Sequence, residues 1–485
     1  MLGLHRMPTY QRKGRDQGMS TTPRASGIGL EKRSIDYIPE SERHGRPNTL
    51  FTLWFASNVQ ITAVATGALA VVLGLNLGWA IATIVVGNLV GGLFMAYHSI
   101  QGPRMGVPQM IQSRAQFGMF GAILPVVVVL VMYIGFFVSS GILGGQAVAS
   151  LLHISTPVGI VISDALVLLI TWVGYDLFHN YDRVVSVLSF LIFAVLLVKL
   201  ITILPAHAPK SSVTLGTILL MISIFAAWQI TWAPYVSDYS RYLPQSTKSA
   251  RTFWFTYLGS AVGACFSMIV GALGAVVAES QVSSNAPAYF AGLFPQVRWL
   301  FLIVIVLGVF AANLENLYGA FLTAFTSLSP SGKLLAGAKG RILATTVVAI
   351  VGTLIALVAS SNFLTNLSNF VLFLLYFLIP WTAINLTDYY LIHHGNYDIK
   401  EIFDTDGEYG RVKWGALGIY ALTIVVELPF MNSSFFEGPI AKALGGGDIA
   451  WIVGFLLAGA IYYFYATKWG RVADEAAPNS GTAQA

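Results

Sequence analysis

Apolar positions along this chain run in long unbroken stretches instead of the stripes that mark a helix with one wet face. Twelve such stretches, at roughly 50–74, 78–100, 119–149, 157–178, 182–204, 214–237, 251–277, 299–328, 341–359, 362–391, 413–430 and 448–467, approach the ~20 residues a helix needs to cross a bilayer. With no water inside a bilayer to satisfy backbone groups, such stretches must be helical, so the pattern predicts an all-α protein that crosses the membrane twelve times.

Small and helix-breaking residues interrupt two of these stretches. The first carries Thr66, Gly67 and Ala68 at mid-membrane, and the sixth carries Trp232, Ala233 and Pro234 at a comparable depth. Interruptions in corresponding helices of two five-helix halves point to an inverted repeat with a binding site near the midplane. Each also has a plainer reading: Gly67 could simply admit a neighbouring helix, and Pro234 could simply kink its own. The Gly87 and Gly91 spacing in the second stretch reads as packing.

Composition supports the membrane assignment, with 56% hydrophobic residues and only 10% charged, against roughly 25% in an ordinary soluble domain. Fourteen of the 49 charged side chains fall within residues 1–48, expected to be a cytoplasmic and disordered tail. Fourteen Lys and Arg residues fall in the even-numbered loops and at the C-terminus, including Arg104, Arg114, Arg183, Arg241, Lys333 and Arg411. Four (Lys199, Lys210, Arg298 and Lys442) fall at the opposite ends. That bias predicts both termini in the cytoplasm of a multi-pass protein of the plasma membrane, and it explains the net charge of +5 without a nucleic-acid partner. The expected organisation is a tail (1–48), a ten-helix core (49–395), two accessory helices (396–467) and a short C-terminal tail (468–485).

No catalytic constellation is present, and no metal or cofactor motif. There is no phosphate-binding glycine loop, no HExxH and no nucleophile elbow, and the single cysteine, Cys265, leaves no intrachain disulfide. The candidate chemistry lies in polar groups inside apolar stretches, where they are costly. Glu315, near the middle of the eighth stretch, must pair or stay protonated there, which makes it a candidate to carry a coupling proton. Asn313 and Asn316 flank it and could hydrogen-bond a polar ligand or another helix. Phe136 with Ser139 and Ser140, and Trp228 with Gln229 and Thr231, each offer a ring beside hydrogen-bonding groups, as a flat polar heterocycle requires. Asp164 and Glu427 lie nearer helix ends and read as structural.

The segment Gly102-Pro103-Arg104-Met105-Gly106-Val107-Pro108, followed by Arg114 and Phe117-Gly118, resembles the inner loop after the second helix in the nucleobase:cation symporters of the purine-cytosine and allantoin permease group. Trp54 to Asn58, Gly144 to Ala147, Ser237 to Tyr242 and Asn316 to Tyr318 are similar to further motifs of that family, in its order and at its spacing.

The resemblance implies a LeuT-type fold, a five-plus-five inverted repeat of ten helices with two additional C-terminal helices. It further implies a ligand ring stacked on aromatic residues of the third and sixth helices, mapping to Phe136 beside Ser140 and to Trp228 or Gln229. An asparagine of helix eight (Asn313 or Asn316) and a polar contact near Thr66 complete the implied site. Sodium-using members place hydroxyls on helix eight where this chain has Val309, Phe310, Ala311 and Ala312, so a proton is expected in place of sodium. The expected function is secondary import of a cytosine- or purine-like base or related small heterocycle by cation symport. A channel or membrane receptor, or the same fold carrying an amino acid, is the competing reading. A pore would repeat its polar rings at several depths, and a zwitterion would want paired charges at its site.

Overall fold

The computed structural model describes residues 36–173, 175–206, 211–328 and 338–470. Most of the N-terminal tail, the C-terminal tail beyond 470, Lys210 and Lys333 lie outside them. The described chain is helical apart from one isolated bridge, Asn432 to Glu437. The helices are α1 (Asn48–Asn58 and Ile61–Val72), α2 (Leu77–Ser99), α3 (Ile123–Leu152), α4 (Thr156–Val173), α5 (Tyr175–Thr202) and α6 (Leu215–Ile230 and Val236–Ser240). They continue with α7 (Ser249–Gly292), α8 (Arg298–Leu328), α9 (Ala338–Ala359), α10 (Phe363–Thr387), α11 (Trp414–Glu427) and α12 (Ala450–Tyr465). Among the described residues nine helical stretches are long and apolar enough to cross a membrane, or ten with the bent pair of α1 counted as one span. One of the nine, Lys339–Ile392, contains both α9 and α10, and the stretch containing α11 is shorter.

Helix α1 is broken, but not at Thr66–Ala68. Residues Ile61–Val72 form continuous helix, and the chain bends by 63° between Asn58 and Ile61. The cause is local. Asn58 donates to the Trp54 carbonyl and Gln60 to the Ser57 carbonyl, both at 2.8 Å, while Gln60 adopts an extended backbone. Side-chain bonds to nearby carbonyls compete with the helical ladder. Gly67 is a packing residue instead: a Cβ there would collide with the backbone of Met268 on α7. Gly87 and Gly91 likewise bring α2 against Phe225 and Ala226 of α6. The break expected in α6 falls where the sequence put it. A single 3-10 turn, Ala233–Tyr235, separates its two pieces around Pro234, which has no N–H to donate.

Two bodies result. Helices α1, α2, α6 and α7 pack on one another, and α3, α4, α5, α8 and α9 form the other group. Gly259 and Gly263 of α7 lie directly against the Phe51 and Phe55 backbone, which sets how closely α1 and α7 approach.

At one end of the bundle the inner loop forms two short helices, Gln101–Met105 and Gln109–Phe117. It ties α6 to α10: the Gln109 N–H donates to Asp238 Oδ1 (2.8 Å), Trp381 Nε1 to Ser113 Oγ (2.9 Å) and Gln116 Nε2 to Asp388 Oδ2 (2.7 Å). Burial lowers the Arg114 guanidinium of this loop to about 10, still protonated at neutral pH.

The segment 36–47 belongs to this end as well. It was expected to be part of a disordered tail, but Arg43 is buried, donates to the carbonyls of Ile38 and Pro103 at 2.8 Å, and lies over the Tyr37 ring. Further contacts run from Arg241 to the Asp36 carbonyl and from the Gln245 N–H to Glu40. A buried guanidinium with two carbonyl acceptors fixes a chain that composition alone would leave loose.

Candidate functional site

A cavity of about 800 Å3 lies between the two bodies, within the roughly 300–1,000 Å3 typical of small-molecule sites. Its wall is built from α1 (Thr49, Leu53, Gln60), α3 (Tyr133, Phe136, Ser140), α6 (Trp228, Trp232, Tyr235) and α8 (Ala312, Glu315, Asn316, Tyr318). It extends to Gly45, Asp238, Arg241 and Tyr242, at the end of the bundle that carries the inner loop.

Five of the residues nominated from the sequence meet here: Phe136, Ser140, Trp228, Glu315 and Asn316. The Phe136 and Trp228 rings stand 5.8 Å apart and nearly perpendicular, at 86°. A flat ligand can therefore lie face to face on one ring while meeting the edge of the other; the geometry does not form a parallel slot between them. Phe370 of α10 meets the far side of Phe136, ring centroids 5.3 Å apart. Ser140 shares a hydrogen bond with Thr62 (3.1 Å), and Asn316 donates to Asn313 Oδ1 (3.1 Å).

Three nominated residues stand off the cavity wall. Thr66 is buried within α1 and donates to the Thr62 carbonyl at 2.8 Å. Asn313 is buried behind Asn316 and donates to the Phe137 carbonyl (3.2 Å), fastening α8 to α3. Gln229 is buried on the far side of α6, where its amide bonds Asn88 and Ser260. Adjacent helical residues point about 100° apart, so Trp228 faces the cavity and Gln229 its rear. Asp164, read as structural, accepts from Thr353 at 2.9 Å and joins α4 to α9.

Several wall residues were not nominated. Trp232 lies 5.7 Å from Trp54 and Tyr235, and Tyr133 lies 5.4 Å from Tyr235, so the wall between Trp228 and the end at Asp238 is lined by aromatic rings. Tyr133 and Tyr235 line the same cavity as Glu315 and Asp238. Gln60 lines the cavity just past the bend in α1, the place Thr66 was expected to fill. The bend is what brings it there, and its signal in the sequence was the polar cluster Ser57-Asn58-Val59-Gln60.

A second, smaller pocket of about 40 Å3 adjoins the first and has room for only a few atoms. It lies between the α1 break (Ser57, Gln60), α5 (Ser186, Ser189) and α8 (Gly308, Ala311, Ala312, Glu315). Glu315 lines both spaces. The helix-eight side contributes no hydroxyl, as the sequence indicated; the hydroxyls come from α1 and α5. Among the described residues no group of three or more His, Cys, Asp or Glu side chains is placed to hold a metal.

The comparisons with known proteins agree with this architecture. A family model described as "permease for cytosine/purines, uracil, thiamine, allantoin" matches residues 37–454. The chain is 44% identical to the putative purine-cytosine permease YxlA of Bacillus subtilis over 436 residues, covering 90% of this chain and 95% of that one. It is 26% identical to the purine-cytosine permease FCY21 of Saccharomyces cerevisiae, covering 90% and 86%. Among solved structures, the inward-facing conformation of Mhp1 superposes with a TM-score of 0.74 at 17% identity, over 92% of this chain and 95% of that one. The closed conformation of Mhp1 with bromovinylhydantoin bound, titled as a nucleobase-cation-symport-1 family transporter, gives 0.72 at 18%, over 92% and 96%. The fold is thus the LeuT-type transporter fold, and the protein is an integral, multi-pass membrane transporter with no enzymatic role. With the match running through nearly all of the described helices, the chain belongs to the family of permeases for cytosine/purines, uracil, thiamine and allantoin.

Proposed function

We propose that this permease imports a neutral, planar nucleobase of the cytosine or purine type, or a related small heterocycle, across the plasma membrane by symport with a cation, the proton being the favoured one. The observation that carries the reading is the cavity wall itself. Phe136 and Trp228 offer ring faces within one space that also presents Ser140, Gln60 and Asn316 as hydrogen-bonding groups. Stacking faces with a few amides and hydroxyls reward shape and hydrogen-bond pattern. Asn313 and Gln229 tie together helices that present this wall, and Thr66 bonds within α1.

The names of the relatives support the substrate class, and the hydantoin bound in Mhp1 is itself a small heterocycle. The Lys and Arg bias supports a cytoplasmic location for both termini. Transport follows alternating access, with α1, α2, α6 and α7 moving as one body against the rest.

Glu315 is the proposed carrier of the coupling proton. It stands where the cavity and the small pocket meet, and a carboxyl exchanges a proton between two accessible sides as a hydroxyl does not at neutral pH. A second reading has one observation in its favour: Ser57, Ser186 and Ser189 bring oxygen atoms to the same pocket as Glu315, a donor set of the hard kind that also suits sodium.

Thermal-shift screening of the purified protein against cytosine, adenine, guanine, hypoxanthine, uracil, allantoin and hydantoins tests the substrate class. A ligand that binds the folded state raises the transition temperature by an amount that grows with the logarithm of its concentration over Kd. Stabilisation by one or more bases is expected; stabilisation by none of them, together with stabilisation by an amino acid, would overturn the reading.

A further inference from the structure

Behind Trp228 lies a chain of polar side chains, each fully buried, that crosses four helices. The Trp228 indole N–H donates to Asn58 Oδ1 at 2.7 Å. Asn58 Nδ2 donates to the Trp54 carbonyl (2.8 Å) and to Ser260 Oγ (3.1 Å). Ser260 Oγ in turn donates to Gln229 Oε1 at 2.6 Å, and Gln229 Nε2 donates to Asn88 Oδ1 at 2.8 Å. Asn88 closes the chain on the Ile84 carbonyl and the Met268 sulfur. Asn58, Asn88, Gln229 and Ser260 are each 0% exposed.

Buried amides are costly unless satisfied, and here each amide oxygen and nitrogen has a partner. A fully satisfied network rigidifies the groups it joins. The helices it joins are α1, α2, α6 and α7, the members of one packed body, and among the described residues none of α3, α4, α5, α8 or α9 takes part. Its one outlet to the cavity is the Trp228 ring.

We propose that Asn58 is a positioning residue for substrate recognition: by holding the indole N–H of Trp228 it fixes the plane of that ring, so the stacking surface is set at the break in α1 and travels with that body during transport. The inference rests on the proposed role of Trp228 in binding. It also gives Gln229 a different task from the ligand contact its sequence position suggested, because Gln229 acts on the ring through Ser260 and Asn58. Asn58 suits the task for two reasons. It is the last residue of the first piece of α1, so its side chain turns inward at the bend, and its amide offers an acceptor to α6 and a donor to α7 at once.

A double-mutant cycle in proteoliposomes tests this, with uptake and equilibrium binding of radiolabelled cytosine and adenine as the readouts. Asn58→Leu removes all three amide bonds at similar volume, among them the one to the indole, and Trp228→Phe keeps a ring but has no N–H to hold. Losing one buried hydrogen bond is worth roughly a three- to tenfold change. Asn58→Leu is therefore expected to raise Kd and KM roughly three- to tenfold with the rate at saturation unchanged. In the Trp228→Phe background the same substitution should have no further effect.

Ser260→Ala, which cuts the chain one step further away and leaves the fold less exposed to damage, should shift KM in the same direction by a smaller factor. Asn58→Asp, which keeps an acceptor for the indole, should lie closer to wild type than Asn58→Leu. The inference is overturned if Asn58→Leu and Ser260→Ala leave Kd unchanged while Trp228→Ala raises it, or if Asn58→Leu acts equally in both backgrounds. If Trp228→Ala itself leaves binding unchanged, the assignment of the binding wall fails, and the positioning role fails with it.

Discussion

Replacing Glu315 by Gln isolates the proposed coupling step, and the expected size of the effect follows from how many carboxyl groups reach the cavity. Among the described residues two do, Glu315 and Asp238, and of these Glu315 also lines the small pocket beside the α1 break. Asp238 has a structural task as well, since its Oδ1 accepts the Gln109 N–H at 2.8 Å and fastens the inner loop to α6. One carrier means one proton per substrate.

A pH difference of one unit is worth ~1.4 kcal/mol per proton, or a tenfold concentration ratio. With the membrane potential clamped at zero by valinomycin and equal potassium, wild-type proteoliposomes should accumulate the base roughly tenfold per unit of imposed pH difference, and roughly a hundredfold if Asp238 loads a second proton. Glu315→Gln should still exchange labelled for unlabelled base across the membrane but bring the accumulation ratio to one. The assay is filtration uptake under imposed proton and sodium gradients. Accumulation that requires sodium and ignores the proton gradient would refute the argument, and so would a Gln variant that accumulates like wild type.

Phe136→Ala should raise KM roughly two- to tenfold, the range expected from an aromatic contact worth ~0.5–1.5 kcal/mol, while the protein still inserts and elutes as wild type; size-exclusion chromatography alongside uptake checks both. Gly67→Leu should fail in folding and not in transport, because a side chain there meets the Met268 backbone; the yield of monodisperse protein should fall steeply, and a well-folded, transport-dead variant would contradict the packing assignment. The loop carboxyl of Asp448, just before α12, is pushed up by burial from an ordinary 3.8 to about 6, against the opposing bonds from Tyr376, Asn432 and Ala450. The folded state then holds a proton between these values that the unfolded state releases, so this group's stabilisation is present at low pH and is lost as pH rises from about 4 to about 6. The difference amounts to at most about 3 kcal/mol, which thermal melts of wild type and Asp448→Asn from pH 4 to 7 would detect as a slope missing in the variant.

Much of the fold was legible because a bilayer leaves so few choices. A stretch of apolar residues near 20 long can only be a helix, and the helices observed begin and end within a few residues of those stretches for most of the chain. The α6 break was legible for an equally direct reason, since Pro234 removes a donor whatever surrounds it. The α1 break was not. Thr66-Gly67-Ala68 looked like an interruption, but in membranes small residues serve close packing as often as they serve breaks, and only the position of Met268 on α7 decides between the two. The segment 36–47 escaped for a related reason: its charge suggested solvation, and what orders it is a pair of carbonyls, at Ile38 and Pro103, that no local pattern reveals.

The site divides along the same line. Pairs of a ring and a hydrogen-bonding side chain could be recognised on α3 and α6 because their members lie within about one turn, so Phe136 with Ser140 and Trp228 with Gln229 were visible as candidates. Which member of the second pair faces the ligand depends on the rotation of α6 about its own axis. That rotation is fixed from outside, by Gly87 and Gly91 of α2 admitting Phe225 and Ala226, and by Asn88 and Ser260 receiving Gln229. Once Gln229 is claimed by α2 and α7, the next residue back must face the opposite body, and Trp228 reaches the cavity. The aromatic wall continues past the end of this helical piece, where the turn around Pro234 carries Trp232 and Tyr235 along the same cavity. Which face of α6 forms the proposed recognition surface is thus decided at the back of the helix, by amides that stand off the cavity wall.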